Sequence, residues 1–181
     1  MNVILKENWT VDRFLAWEDK QEGKYEFDGT RIIEMTGGSR GHQRIVFNIL
    51  RFLIEALDPA RFDVIQEMRT TNGSQVRYPD VVVCQGRVGR TVRTLHDALV
   101  IFEVLSDDTA ETDLEQKRDD YARLPGLDCY VLVEQNKAAV KILRRAANGW
   151  LETPVTKGDV ALDGIGTAIP LDAIYATIDF N

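Results

Sequence analysis

Positive charge is scarce in this chain: 22 Lys and Arg face 29 Asp and Glu, a net charge of -7 over 181 residues. Proteins that grip nucleic acid through broad phosphate contacts carry a basic surface. That route is closed here unless the cations gather in one place or bound metal ions offset the carboxylates. Cysteine is nearly absent. Cys84 and Cys129 each lie within a strand-like apolar segment and read as small buried hydrophobes, not as a disulfide framework. With only His42 and His96 beside them, the usual zinc sites are excluded too. Long apolar runs are missing: none exceeds that of Ala98 to Phe102, which is far too short to cross a bilayer. The start, MNVILKENWTVDRF, has no basic segment ahead of a long apolar stretch, so no signal peptide is expected. Gly37-Gly38-Ser39 lacks the lysine and spacing of a phosphate-binding loop, and no serine stands in a nucleophile-elbow context. From these features a reducing cytoplasm and no membrane segment are expected. No linker, repeat or low-complexity tract divides it, so one domain over residues 1–181 is expected.

What is present is an alternation of helical and strand patterns. Thr10 is placed to cap a short helix with Val11, Phe14, Leu15 and Trp17 on its apolar stripe. Lys24–Phe27 and Thr30–Met35 flank Asp28-Gly29, a hairpin signal in which both turn positions would take positive φ. Ile45, Val46, Ile49, Leu50, Leu53 and Leu57 predict a helix over about His42–Leu57, ended by Asp58-Pro59. Strands are expected over Phe62–Arg69, Tyr78–Cys84 and Ala98–Leu105, the last buried on both faces. Thr112 and Glu115 have capping-box spacing for a helix to about Leu124, stopped by Pro125-Gly126. Cys129–Val133 and Ala138–Leu143 read as further strands, Asn148-Gly149 as a second hairpin turn, and Ile169 to Tyr175 as a tail folding back over the sheet. The order helix, three strands, helix, strand is a mixed α/β layer architecture.

Three residues stand where burial should exclude them. Alternation through ALVIFEVLS puts Glu103 in a row with Leu99, Ile101 and Leu105. A carboxylate there must be paired or bind a metal, and a structural salt bridge would also answer. Asp80, after Pro79, opens a strand or serves as a turn residue. Lys117 falls on the inward stripe of Leu114, Tyr121 and Leu124, while Arg118, Asp119 and Asp120 fall mainly elsewhere. Taken alone, it could lay its stem over apolar surface or pair with Asp113. Together, two carboxylates on neighbouring strands offer hard oxygen ligands for Mg²⁺, and a nearby lysine can orient water and stabilise developing phosphate charge. That combination suits metal-assisted phosphodiester hydrolysis.

These residues resemble the PD-(D/E)xK nuclease superfamily, and within it the Uma-two family of restriction-endonuclease-like proteins. Pro79-Asp80 in RYPDVVVC gives the first half and Glu103 in EVLS the acidic half. Leu105 stands where the superfamily usually has its lysine, and Lys117 in DLEQKRDDYARL resembles the variant in which that lysine has moved to the next helix. WTVDRFLAWE, YEFDGTRIIEM, HQRIVFNIL and PLDAIY extend the likeness over nearly the whole chain. The resemblance implies an α/β (α+β) restriction-endonuclease-like αβββαβ core with a mixed central sheet, an N-terminal helix and hairpin, and a C-terminal hairpin extension. It also implies an endonuclease of DNA, using Mg²⁺ (or Mn²⁺ in its place) and acting as a homodimer. It makes Asp80, Glu103 and the backbone carbonyl of Val104 the metal ligands, and Lys117 the residue that positions water. His42 is placed near the site, and Glu26 as a ligand or an orienting partner of His42; each has a bland alternative, a satisfied core histidine and a solvated hairpin glutamate. The loop from Arg87 to His96, with Arg40, Arg44 and Arg51, would meet phosphates. The rival reading is a non-catalytic module of the same fold that binds nucleic acid or a protein.

Overall fold

The computed structural model describes residues 3–5, 9–86, 89–106, 111–147 and 149–180. In chain order the elements are β1 (Val3–Leu5), α1 (Val11–Glu18), β2 (Tyr25–Phe27), β3 (Arg31–Glu34), α2 (Arg40–Ala56), β4 (Phe62–Gln66), β5 (Thr70–Thr71), β6 (Val76–Arg77), β7 (Val81–Gln85) and β8 (Val100–Leu105). After these come α3 (Glu111–Ala122), β9 (Cys129–Glu134), β10 (Val140–Ala146), β11 (Gly149–Val155), β12 (Asp159–Leu162), β13 (Thr167–Pro170) and α4 (Leu171–Ile174). The central six-stranded sheet runs β11-β10-β9-β8-β7-β4 and is mixed, with β8 and β9 its parallel pair. A five-stranded sheet, β1-β3-β2-β6-β5, stands beside it. The expected order is present as α2, β4, β7, β8, α3 and β9, with β5 and β6 diverted into the second sheet.

The helices form where pattern and caps agree. Thr10 Oγ1 accepts the Arg13 N–H at 3.2 Å and starts α1, which buries Phe14 against Phe27. Ser39 Oγ accepts the His42 N–H at 3.1 Å and starts α2, whose Ile45, Val46, Ile49 and Leu53 are fully buried. Those four pack on Val81, Val83, Val100, Phe102 and Val104, one face of the sheet. β12, β13 and α4 fold back over the same layer, as Asn48 Nδ2 donates to the carbonyls of Ile174 and Ala176. On the opposite face, Val82, Ile101, Tyr130 and Leu132 meet Tyr121 of α3 and Leu124 just beyond it.

The structure corrects several local expectations. The strand from Phe62 stops at Gln66, because Glu67 adopts φ 46°, a left-handed conformation that turns the chain away. Tyr78, Pro79 and Asp80 precede β7 instead of belonging to it: they carry the chain from one sheet to the other. In the β2–β3 hairpin only Gly29 takes positive φ, 94°. Asp28 instead closes the loop by accepting the N–H groups of Thr30 (2.9 Å) and Arg31 (2.6 Å) on Oδ1. Thr112 is the second residue of α3, so the predicted capping box is not its start. Asn148 lies outside the described residues, though Ala146 pairs with Gly149 across that turn. No helix among the described residues is long and apolar enough to cross a membrane.

Candidate active site

Pro79 has no N–H to give a ladder, so β7 begins only after Asp80. Val81 pairs with Phe102, which brings Asp80 opposite Glu103 in the antiparallel register. Residues that face each other in this way share one side of a sheet. The two acids stand near enough for the charge of Asp80 to raise the Glu103 pKa. Asp80 Oδ2 accepts the backbone N–H of Val104 at 2.7 Å, which locks its carboxylate across the strand boundary. For Val104, expected to offer its carbonyl, it is thus the N–H that the structure shows engaged. Glu103 is 7% exposed, and burial pushes its carboxyl up to about 7. Lys117 pulls the other way, while the charges of Asp80 and Glu26 reinforce the rise.

Lys117 reaches this site from α3. Its Nζ lies 3.2 Å from Glu103 Oε1 and 3.7 Å from Glu26 Oε1. Burial would favour the neutral amine, but the two carboxylates outweigh it and hold the ammonium well above its ordinary range. One turn further on, Tyr121 donates its hydroxyl to the same Glu103 oxygen at 2.8 Å. The helix is held at this height by the hairpin beside it. Arg31 donates to the Gln116 side chain at 3.0 Å, and Gln116 donates back to the Asp28 carbonyl at 3.2 Å.

Glu26 is buried in a second ion cluster behind Lys117. Its carboxylate takes Arg77 Nη1 at 2.9 Å and the Tyr78 N–H at 3.1 Å. Burial raises its pKa, yet Lys117 and Arg77 outweigh burial and leave it below the usual range. The expectation that it orients His42 is not met: its partners are Arg77, Tyr78 and Lys117, and it is buried, not solvated. Arg77 is 1% exposed and spends Nε and Nη2 on Asp120 Oδ2, at 2.9 and 2.7 Å. Asp120 is therefore an inward residue, contrary to the helical reading, although its position three after Lys117 was a usable signal.

His42, in the first turn of α2, points its Nε2 at Asp80 Oδ2 from 3.3 Å. Burial lowers the imidazole pKa, but the hydrogen bond and charge of Asp80, with the charges of Glu103 and Glu67, raise it above its ordinary value. Its Nδ1 is enclosed with no partner among the described residues. Gly38 is what admits the ring: a Cβ there would stand 2.6 Å from His42 Nδ1. Sequence reasoning missed Glu67, whose backbone N–H donates to the Asp80 carbonyl at 3.3 Å. The basic loop contributes less than expected. Arg93 pairs with Asp19 at 3.4 Å, and Arg87 lies outside the described residues.

Among the described residues, no three His, Cys, Asp or Glu side chains converge on a point that would hold a metal ion. Asp80 and Glu103 remain as a pair of hard oxygen donors, near enough that the charge of Asp80 opposes the ionisation of Glu103. That set fits Mg²⁺, which takes one or two carboxylates and keeps most of its waters. A site of soft or nitrogen-rich donors would not.

Residues 11–168 match the family described as "Uma2: Putative restriction endonuclease". An uncharacterised protein of Synechocystis sp. (strain ATCC 27184 / PCC 6803 / Kazusa) is 27% identical over 175 residues, covering 93% of this chain and 92% of its own. A second uncharacterised protein of that organism is 29% identical over 132 residues, 70% of this chain and 75% of its own. Among solved structures, a "putative nuclease belonging to DUF820" from Anabaena variabilis ATCC 29413 superposes with a TM-score of 0.77 at 16% identity, covering 93% of this chain and 98% of the other. At that identity the likeness speaks for the fold.

Proposed function

The chain belongs to the Uma2 family, and from that premise we propose that it is a divalent-metal-dependent endonuclease that hydrolyses phosphodiester bonds of DNA. Family and fold point to a restriction-endonuclease-like nuclease. The single observation that carries the finer reading is Lys117, delivered by a separate helix to 3.2 Å from Glu103, itself in register with Asp80.

In this reading Asp80 and Glu103 would hold Mg²⁺ or Mn²⁺, with the Val104 carbonyl as a further donor. When bound, the ion supplies Lewis-acid polarisation of the phosphate and acidifies water at neutral pH. Val104 N–H and His42 hold the Asp80 carboxylate in one orientation. Lys117 orients the attacking water and offsets negative charge as it grows on the phosphate. Glu26, pinned by Arg77, keeps that ammonium charged and in place. Tyr121 fixes the Glu103 oxygen that Lys117 shares. A cytoplasmic setting, where the buried thiols of Cys84 and Cys129 stay reduced, and a homodimer belong to the same proposal.

Nicking of supercoiled plasmid by purified protein with Mg²⁺ or Mn²⁺ tests it. Cleavage should be lost in Glu103→Ala, and equal cutting by the two proteins sinks the assignment. Two observations favour the non-catalytic reading: Lys117 already lies between two carboxylates, and no three-residue metal cluster is present among the described residues. Mn²⁺ titration separates the two, since binding that does not depend on Asp80 and Glu103 would favour the module.

A further inference from the structure

In a chain with an excess of acids, six of the fifteen arginines stand against carboxylates among the described residues. Arg31, Arg69, Arg77, Arg93, Arg118 and Arg144 each pair with a carboxylate. On α2 the case is different. Arg40, Arg44 and Arg51 are exposed, and none of them pairs with a carboxylate among the described residues. They recur at the spacing of one helical face, and the same arc carries Phe47, 53% exposed, and Ile54, 61% exposed. The Arg44 guanidinium lies 5.6 Å from the Phe47 ring centroid. From Arg40 to Ile54 the stripe climbs about 21 Å at the usual helical rise. Its lower end is the turn that brings His42 to Asp80.

We propose that this outer face of α2 is a track for single-stranded nucleic acid that leads unpaired nucleotides to the Asp80–Glu103 site; this rests on the nuclease reading and specifies its substrate. The arginines follow the phosphates, and Phe47 and Ile54 receive base faces. Stacking of that kind needs bases free of a duplex, since paired bases show only their edges. Duplex backbone would use the arginines and leave two large apolar groups in water. A second copy docked face to face would set this cationic stripe against itself, so the proposed dimer forms elsewhere.

The test is fluorescence anisotropy in EDTA, with an oligothymidylate of about 16 nucleotides and a duplex of the same length. Wild type should prefer the single strand. Phe47→Ala, a surface change, should weaken single-strand binding about five-fold or more and leave duplex binding as it was. Arg51→Gln should flatten the dependence of log K on log salt by about 0.7. Equal losses on both probes, no loss on either, or a duplex preference in wild type overturns the track. So does a dimer that dissociates in Phe47→Ala while DNA binding stays the same. Cleavage is not read. Selective binding without plasmid nicking would fail the nuclease and keep the track, and nicking without selective binding would do the reverse.

Discussion

On one face of the central sheet, Val81, Val83, Val100, Phe102 and Val104 meet Ile45, Val46, Ile49 and Leu53 of α2 in one apolar cluster. On the other, Val82, Ile101 and Leu132 share their burial with Glu103, and α3 brings Lys117 and Asp120 in with its apolar Tyr121. The first face holds by removal of apolar area from water, which is indifferent to pH and to which partner sits opposite. The second holds only while each charge finds its counter-charge. Within it the two cations differ: Arg77 has no protonation state to trade, whereas the acid beside Lys117 can take up a proton.

The comparison breaks most sharply at Arg77. Arg77→Met strips the buried Asp120 of its ion-pair partner and leaves Glu26 only the more distant Lys117, and removal of one partner from a buried pair costs about 3–5 kcal/mol. Urea denaturation should show that loss, and a cost below about 1 kcal/mol would mean that the cluster is ornamental. Leu53→Ala probes the apolar face, with an expected loss of about 2–5 kcal/mol. Mn²⁺ affinity measured on the folded protein should not change, because Leu53 packs in the apolar cluster at the far end of α2 from His42. A fall in affinity would show that the two faces are not independent.

The pH dependence sharpens the same contrast. Glu103 in the folded protein titrates at about 7, above its ordinary 4.5, and His42 is raised as well. Both contribute stability that is fully present below their unfolded values. It is lost as pH rises through the folded ones. In EDTA, stability should therefore decline between pH 4.5 and somewhat above 7, by on the order of a few kcal/mol. Glu26 works in the opposite sense and loses its contribution as pH falls. Glu103→Gln should flatten the upper decline. An unchanged slope would assign it to other groups.

The apolar face was legible in the sequence because its periodicity is local: the α2 stripe and the β8 run each declare themselves within a dozen residues. Asp80, Glu103, Lys117 and His42 were legible as violations of that periodicity, or through their likeness to a family. Arg77 was not. It sits in a two-residue strand, and its partners lie 51 and 43 residues away, so nothing near it marks the side chain as inward. Glu67 was hidden for another reason. Its left-handed backbone has no signature in a glutamate, and its N–H meets the Asp80 carbonyl only in the folded chain.

Lys117→Met should have the smallest effect on stability and the most telling one. Glu26 keeps Arg77 and the Tyr78 N–H, and Glu103 keeps the Tyr121 hydroxyl and can protonate near neutrality, so no buried carboxylate is stranded as a charge. The methionine fills much of the same volume against the Leu114 and Tyr121 stripe. The expected change is about 1 kcal/mol or less in either direction. Plasmid nicking should nonetheless vanish. A large stability loss would place Lys117 with Arg77 among the structural cations. Retained nicking in a stable variant would remove the lysine from the chemistry and leave only the carboxylates to carry it.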